Sequence, residues 1–168
     1  MIRNATLEDA AAIAGIYNHY IGNTVVTFEE QPVPTDDMRD RVADVIPKWP
    51  WLVFEENDAV IGYAYATQWN KRGAYRHSVE SSVYLSPTAT GRGIGRALYE
   101  RLIAELRTRE VHVVIGGVSL PNPASVALHE KLGFKKVAHF KEVGNKFGRW
   151  IDVGYWQLIL AKSRTVAE

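Results

Sequence analysis

The chain has 168 residues, 46% hydrophobic and 23% charged, and 20 basic against 19 acidic side chains leave a formal net charge of +1. That length suits one domain, 1–168, with a proper core, and so even a charge argues against a general nucleic-acid or acidic-membrane surface, though not against a local basic pocket. Cysteine is absent, which excludes disulfides, thiolate metal sites and a cysteinyl acyl intermediate together.

No apolar run reaches the length of a membrane span, and the first residues, Met1 to Asp9, lack the signal-peptide pattern, so a cytoplasmic location is expected. Met1 to Ala5 reads as a short strand. Thr6 then has the character of an N-cap, with Asp9 where a capping box places its acid. Ala10, Ile13, Ile16, Tyr17 and Tyr20 recur at helical spacing, so a helix is expected to about Ile21, ended by Gly22-Asn23. Thr24 to Phe28 is β-like, and Thr35 is expected to cap a second helix that reaches about Ile46 before Pro47.

Trp51 to Glu56 and Ala59 to Trp69 flank a turn and read as a hairpin. In its second arm Ile61, Tyr63 and Tyr65 alternate with small residues, which predicts the bulky side chains on one face. A polar, basic loop from Asn70 to Ser78 feeds a strand from Glu80 to Leu85, stopped by Ser86-Pro87. Gly91, Gly93 and Gly95 follow. Behind them Ile94, Leu98, Leu102 and Leu106 mark a helical stripe. Val111 to Ser119 is a β-branched run suited to a buried strand. Asn122 and Pro123 start the next helix, ended by Gly133, with Ala124, Leu128 and Leu132 as its expected apolar stripe. Lys135 to Val143 and Trp150 to Leu160 complete the set as strands around Gly144 to Gly148. The order predicts an α/β chain with one mixed sheet and helices on both faces.

A strand, a glycine loop and a helix start form an anion cradle, because the first helical N–H groups lack partners and glycine lets a phosphate approach the backbone. Arg92 and Arg96 add positive charge. Gly91-Arg-Gly-Ile-Gly-Arg-Ala97 lacks the lysine and hydroxyl of a P-loop, and its spacing and late position do not suit a dinucleotide fold. A plain connecting turn is the remaining alternative on the glycines alone.

Arg92-Gly-Ile-Gly-Arg-Ala-Leu98, followed by Leu120-Pro-Asn-Pro-Ala-Ser-Val-Ala-Leu-His-Glu-Lys-Leu-Gly-Phe134, resembles the GCN5-related N-acetyltransferase (GNAT) superfamily. Tyr75 to Pro87 and Lys146 to Gln157 look like its phosphinothricin, methionine-sulfoximine and methionine-sulfone acetyltransferase branch. The resemblance implies a GNAT fold with about seven strands and a homodimer. It also implies transfer of acetyl from acetyl-CoA to the α-amine of a small amino-acid analogue. In that family the glycine loop holds the cofactor pyrophosphate, which assigns Thr90, Gly91, Arg92, Gly93, Ile94, Gly95 and Arg96 to it; Thr90 stands where Gln or Arg is usual. Val83, Tyr84 and Leu85 are implied to flank the pantetheine arm through their main chain, with Asn122, Ser125 and Lys131 completing the cofactor set.

The chemistry needs a base for the amine, donors for the developing oxyanion, an acid for the thiolate and a clamp for the acceptor's carboxylate. Glu80 aligns with the family's proposed base, and partial burial on a central strand would raise its pKa toward neutrality; a solvated strand-end glutamate is the plain alternative. His129 stands where the superfamily often carries a tyrosine acid. Spacing puts it on one side of its helix with Asn122 and Ser125, and a surface histidine is the competing reading. Tyr99 and Tyr84 are fallback donors. Arg72, then Arg76, are the candidates for the carboxylate, since a guanidinium matches it with two parallel bonds. Trp69-Asn-Lys-Arg72 and Tyr75 match the branch pattern, which assigns Tyr75 to the acceptor side, and Phe28 with Trp69 would wall an apolar side-chain pocket. The five histidines show no metal-ligand spacing, so no metal is expected. Two other functions compete: acetylation of another amine, such as a protein N-terminus or polyamine, and a non-catalytic CoA-binding sensor.

Overall fold

The computed structural model describes residues 1–160; residues 161–168 of the expected domain lie outside the described residues. Seven strands form one sheet in the order β1-β2-β3-β4-β5-β7-β6. They are β1 Ile2–Asn4, β2 Trp51–Glu56, β3 Ala59–Gln68, β4 Ser78–Leu85, β5 Val113–Leu120, β6 Lys135–Lys146 and β7 Arg149–Ile159. Every neighbouring pair is antiparallel except β4 and β5. The helices are α1 Ala10–Asn23, α2 Thr35–Val45, α3 Ile94–Arg107 and α4 Pro123–Lys131.

Each face of the sheet carries its own core. Helix α3 lays Ile94, Leu98, Leu102 and Leu106, all nearly or fully buried, on Ala64, Ala66, Val79 and Val114. Burying side chains of this size contributes about 1.5–3 kcal/mol each. On the opposite face α1 and α2 pack Ile13, Tyr17, Ile21, Met38 and Val42 over Trp51, Val53 and Tyr63. The expected mixed sheet with helices on both faces is therefore present. Thr6 and Asp9 form the anticipated box, with Thr6 N–H donating to Asp9 Oδ2 at 2.8 Å. The Asn57 and Asp58 pair closes the β2–β3 hairpin with both residues at positive φ, 51° and 60°, as a tight two-residue hairpin turn requires.

Five local expectations differ. Thr24 to Phe28 is not a strand: Thr24 folds back through its N–H and hydroxyl onto Tyr20 O, and the Thr27 carbonyl accepts from the buried Lys146 Nζ at 2.8 Å. With those groups taken, no ladder forms there. Thr35 is the first helical residue rather than the cap, a place held by Pro34. Ile61 leaves the Tyr63–Tyr65 face, because the register passes from Phe54↔Gly62 to Glu55↔Val60 and makes Ile61 a bulge that joins the α3-side core. Ala124 is exposed; α4 instead packs Val126, Leu128 and Leu132 against that core and buries His129. The last hairpin runs further than its glycines suggest, to a two-residue turn at Phe147 and Gly148, both at positive φ.

Candidate active site

The parallel ladder between β4 and β5 ends after three pairs, Ser78↔Val113, Val79↔Val114 and Glu80↔Ile115. Beyond it β4 stays bonded to β3 and β5 to β7, while the two strands part from each other. The cleft so opened is lined by Ser81 to Tyr84 on one wall and Gly117 to Ser119 on the other, with Asn122, Ser125, His129 and Tyr99 at its α3–α4 side. Val26 reaches it from the loop after α1.

The main chain of β4 offers its free groups to this cleft. Trp69 N–H donates to Ser78 O and Ser86 N–H to Ile61 O at the two ends of the β3–β4 ladder, while His77 O accepts from β5. Residues that bond one neighbour recur at every second position, so the C=O of Ser81 and the N–H and C=O of Val83 and Leu85 face the side from which β5 has withdrawn. Leu85 O is met there by the Tyr20 hydroxyl at 2.6 Å.

At the end of β4 the loop enters α3 through Gly91 and Gly93, at φ 74° and 78°. An L side chain would be strained at either position. Gly93 is the N-cap and no side-chain cap closes the helix start, which leaves its first N–H groups for an external acceptor. Nothing stands within 4 Å of where a Cβ would project at Gly91 or Gly93. The cradle is therefore open, and its residues fit a pyrophosphate. The side chains around it are used locally: Arg92 pairs with Glu56 at 2.7 Å, Arg96 with Glu100 at 2.7 Å, and Thr90 Oγ1 donates to Pro87 O. The helix start thus presents main-chain N–H groups, with the two arginines as a diffuse positive rim.

On the α3–α4 side His129 is 4% exposed. Asn122 caps α4 by accepting from Ser125 N–H, and Pro123 opens the helix as expected. One turn on, His129 Nδ1 lies 2.7 Å from Ser125 O, which can only accept, so Nδ1 carries the proton. Nε2 is then free to accept, and Tyr99 OH lies 3.0 Å away. Ser81 Oγ follows at 2.8 Å from that hydroxyl. Burial holds the imidazole below its ordinary pKa, partly countered by the Ser125 carbonyl, and pushes the Tyr99 phenol up. His129 is neutral near pH 7 and ends a chain of hydroxyls that begins on β4.

Glu80 lies on the other face, since it alternates with Ser81. Burial raises its carboxyl above the usual range. Its Oε1 lies 3.4 Å from the place a Cβ would take on Gly117, and Tyr155 crowds the same spot at 3.1 Å. Gly116, one residue earlier, faces His129: a Cβ there would stand 2.7 Å from Cδ2 and closer to Nε2. The Gly116-Gly117 pair is thus a thin partition with the carboxylate on one side and the imidazole on the other.

Trp69 stacks edge-on against Tyr155 at 5.5 Å, and Phe140 meets the other side of Tyr155 at 5.8 Å, giving the Glu80 face an aromatic wall. Phe28 packs against Gly144 of β6, which pairs with Ile151 of β7. Arg72, Tyr75 and Arg76 ride on an exposed turn before β4, where Asn70 Oδ1 accepts from Arg72 N–H. Neither Arg72 nor Arg76 has a carboxylate partner among the described residues. Lys131 is exposed in the last turn of α4, two residues beyond His129 and off the Ser125–His129 face. Among the described residues no group of three or more His, Asp or Glu side chains is placed to hold a metal ion. The sequence reading missed Ser81, Tyr155, Phe140 and the partition. A glycine doublet inside an otherwise β-branched strand was the available signal, because such glycines mark close approach.

Residues 2–154 match a family described as an acetyltransferase (GNAT) domain. The chain is 43% identical over 163 residues to the L-amino acid N-acyltransferase MnaT of Escherichia coli (strain K12), covering 95% of this chain and 93% of that protein. It is 42% identical over 160 residues to an L-methionine sulfoximine/L-methionine sulfone acetyltransferase of Salmonella typhimurium, covering 95% and 94%. Among solved structures, a phosphinothricin acetyltransferase from Sinorhizobium meliloti in complex with AcCoA superposes with a TM-score of 0.93 at 37% identity, covering 99% of this chain and 91% of that one.

Proposed function

This chain belongs to the GNAT acetyltransferase family and is an acyltransferase, and from that premise we propose that it acetylates the α-amine of a small amino-acid analogue of the phosphinothricin, methionine-sulfoximine or methionine-sulfone type. The observation that carries the proposal is the division of labour across the Gly116-Gly117 partition: Glu80 on one face, the Tyr99–His129 pair on the other, with an uncapped helix start beyond the end of β4.

Acetyl-CoA is the acyl donor in this reading and supplies a thioester. The uncapped N–H groups from Ile94 onward and the glycines before them would hold its pyrophosphate, and the free N–H and C=O of Val83 would flank its arm as a missing strand does. The acceptor approaches from the Glu80 face, walled by Trp69 and Tyr155, with Arg72 and Arg76 within the turn that borders it. Glu80 takes the proton from the α-ammonium group, directly or through one water, which frees the nitrogen lone pair. The N–H groups of the open β4 edge are placed to stabilise charge on the acyl oxygen. We assign the proton on the sulfur side to the Tyr99–His129 pair. Transfer is direct in a ternary complex, as the absence of cysteine favours.

The reading includes a single acetyltransferase domain acting in the cytoplasm as a homodimer. Val137, Phe140, Val143, Phe147 and Trp150 of the last hairpin are each more than half exposed, and large apolar side chains left to water on one hairpin suit an interface between copies. Free-thiol release from acetyl-CoA tests the central claim. Phosphinothricin, methionine sulfoximine and methionine sulfone should each be turned over faster than spermidine or a peptide with a free N-terminal alanine. Preference for either of the last two would move the function to the other amine.

A further inference from the structure

Ser119 presents a group that the acyl transfer described above does not use. The residue is 8% exposed, it lines the cleft, and its hydroxyl is buried with no hydrogen-bond partner among the described residues. A buried hydroxyl left bare destabilises a fold, so one kept in a cleft is completed there by water or by a ligand.

Strand geometry selects the ligand. Val118 belongs to the core beneath α3, and Gly116 faces His129. Gly117 and Ser119 therefore turn to the opposite face, where Glu80 Oε1 lies 3.4 Å from the Cβ position of Gly117. Ser119 is the next residue on that face, roughly 7 Å further along β5, and sits opposite Val153 of β7. Because β4 and β5 are parallel, Ser119 lies past Glu80 in the direction leading away from the turn that carries Arg72.

An α-amino acid with its nitrogen at Glu80 and its carboxylate toward Arg72 sends its side chain the other way, along β5. Five bonds separate that nitrogen from an oxygen on the δ atom, an extended reach of roughly 6 Å. We propose that the Ser119 hydroxyl binds a tetrahedral oxo group (sulfone, sulfoximine or phosphinate) at the δ position of the acceptor. By this contact it sets the preference for such side chains over a thioether. The hydroxyl donates to the oxo oxygen and replaces a water there. The assignment rests on the amino-acid reading of the site given above.

The test compares wild type, Ser119→Ala and Ser119→Thr on L-methionine sulfone and L-methionine, with the KM for acetyl-CoA and the melting temperature measured alongside. Ser119→Ala should lose roughly tenfold in kcat/KM on the sulfone, the effect of one hydrogen bond, with methionine and the KM for acetyl-CoA unchanged. Ser119→Thr should keep the wild-type ratio of the two acceptors. The alanine variant should melt no lower than wild type, since the hydroxyl it removes has no partner in the fold. An equal fall on both acceptors, an unchanged ratio, a raised KM for acetyl-CoA or a lowered melting temperature would each overturn the assignment. Wild type inactive on both acceptors would instead sink the amino-acid reading, and Ser119 with it.

Discussion

Tyr99 and His129 meet through a 3.0 Å hydrogen bond between phenol oxygen and Nε2, and the same imidazole is held from behind by the Ser125 carbonyl at 2.7 Å. Because the carbonyl fixes the proton on Nδ1, the phenol must donate. Protonating His129 would reverse the bond and, through Ser81, the next one. The two side chains therefore share one hydrogen-bonded proton path. Tyr99→Phe and His129→Asn should each lower kcat by roughly 10²–10⁴-fold, the scale of acid–base assistance. The double variant should fall hardly further. A multiplicative loss, measured by steady-state kinetics, would mean that they act separately.

Glu80→Gln should lower turnover by a similar factor of roughly 10²–10⁴ while leaving acetyl-CoA affinity intact. The pH dependence has a definite sign. A base must be deprotonated, and burial raises this carboxyl, so kcat/KM should fall with acid from a higher pH than an ordinary glutamate would give. The glutamine variant should lose that acid limb.

Stability carries the matching signature. The native state holds the Glu80 proton more tightly than the unfolded chain does, so this group's contribution is present below its unfolded pKa and lost as pH rises through the raised native value. Glu80→Gln should therefore melt at a higher temperature than wild type at pH 7.5, with the difference vanishing near pH 4. His129 works the other way: its pKa is depressed, so the native state resists a proton the unfolded chain accepts. Stability falls as pH drops below about 6.5, the unperturbed value. His129→Asn should flatten that slope in chemical denaturation series.

Arg72→Ala should raise the KM for the acceptor by roughly tenfold or more, the loss of a charge-assisted contact, and leave the KM for acetyl-CoA alone. Equal effects on both would remove Arg72 from the acceptor side.

The partition gives an unequal pair of variants. Gly116→Ala drives a methyl group into the imidazole of His129, whereas Gly117→Ala meets Tyr155 at 3.1 Å and Glu80 Oε1 at 3.4 Å. Gly116→Ala should cost about 1–3 kcal/mol of stability by overpacking and most of the activity. Gly117→Ala should be milder in both. Denaturant midpoints and kcat separate the two.

Helix and strand placement was readable because local signals agreed: Asn122 and Pro123 start α4, Gly133 ends it, and the steps of four from Ile94 lie buried as spaced. The sequence misled where polar groups were satisfied from afar. Lys146, 119 residues from Thr27, takes the carbonyl that a strand at Thr24–Phe28 would have used. The bulge at Ile61 is likewise a matter of register between two strands, to which a single strand's alternation is blind. Glu80 and His129 stand out in the sequence as candidates, but their places on opposite faces follow from the partition. The orphan hydroxyl of Ser119 depends on what does not surround it.

Only three rungs of β4 and β5 join the four N-terminal strands to the three C-terminal ones. Beyond that seam the two edges keep main-chain groups that no strand takes, while the core under α3 spans both halves. Whatever occupies the cleft then works as a splint, stitching edge to edge with the hydrogen bonds the chain itself omits. Protection of Val83 and Leu85 amides from exchange should consequently rise when the donor is added, well before any acceptor is present.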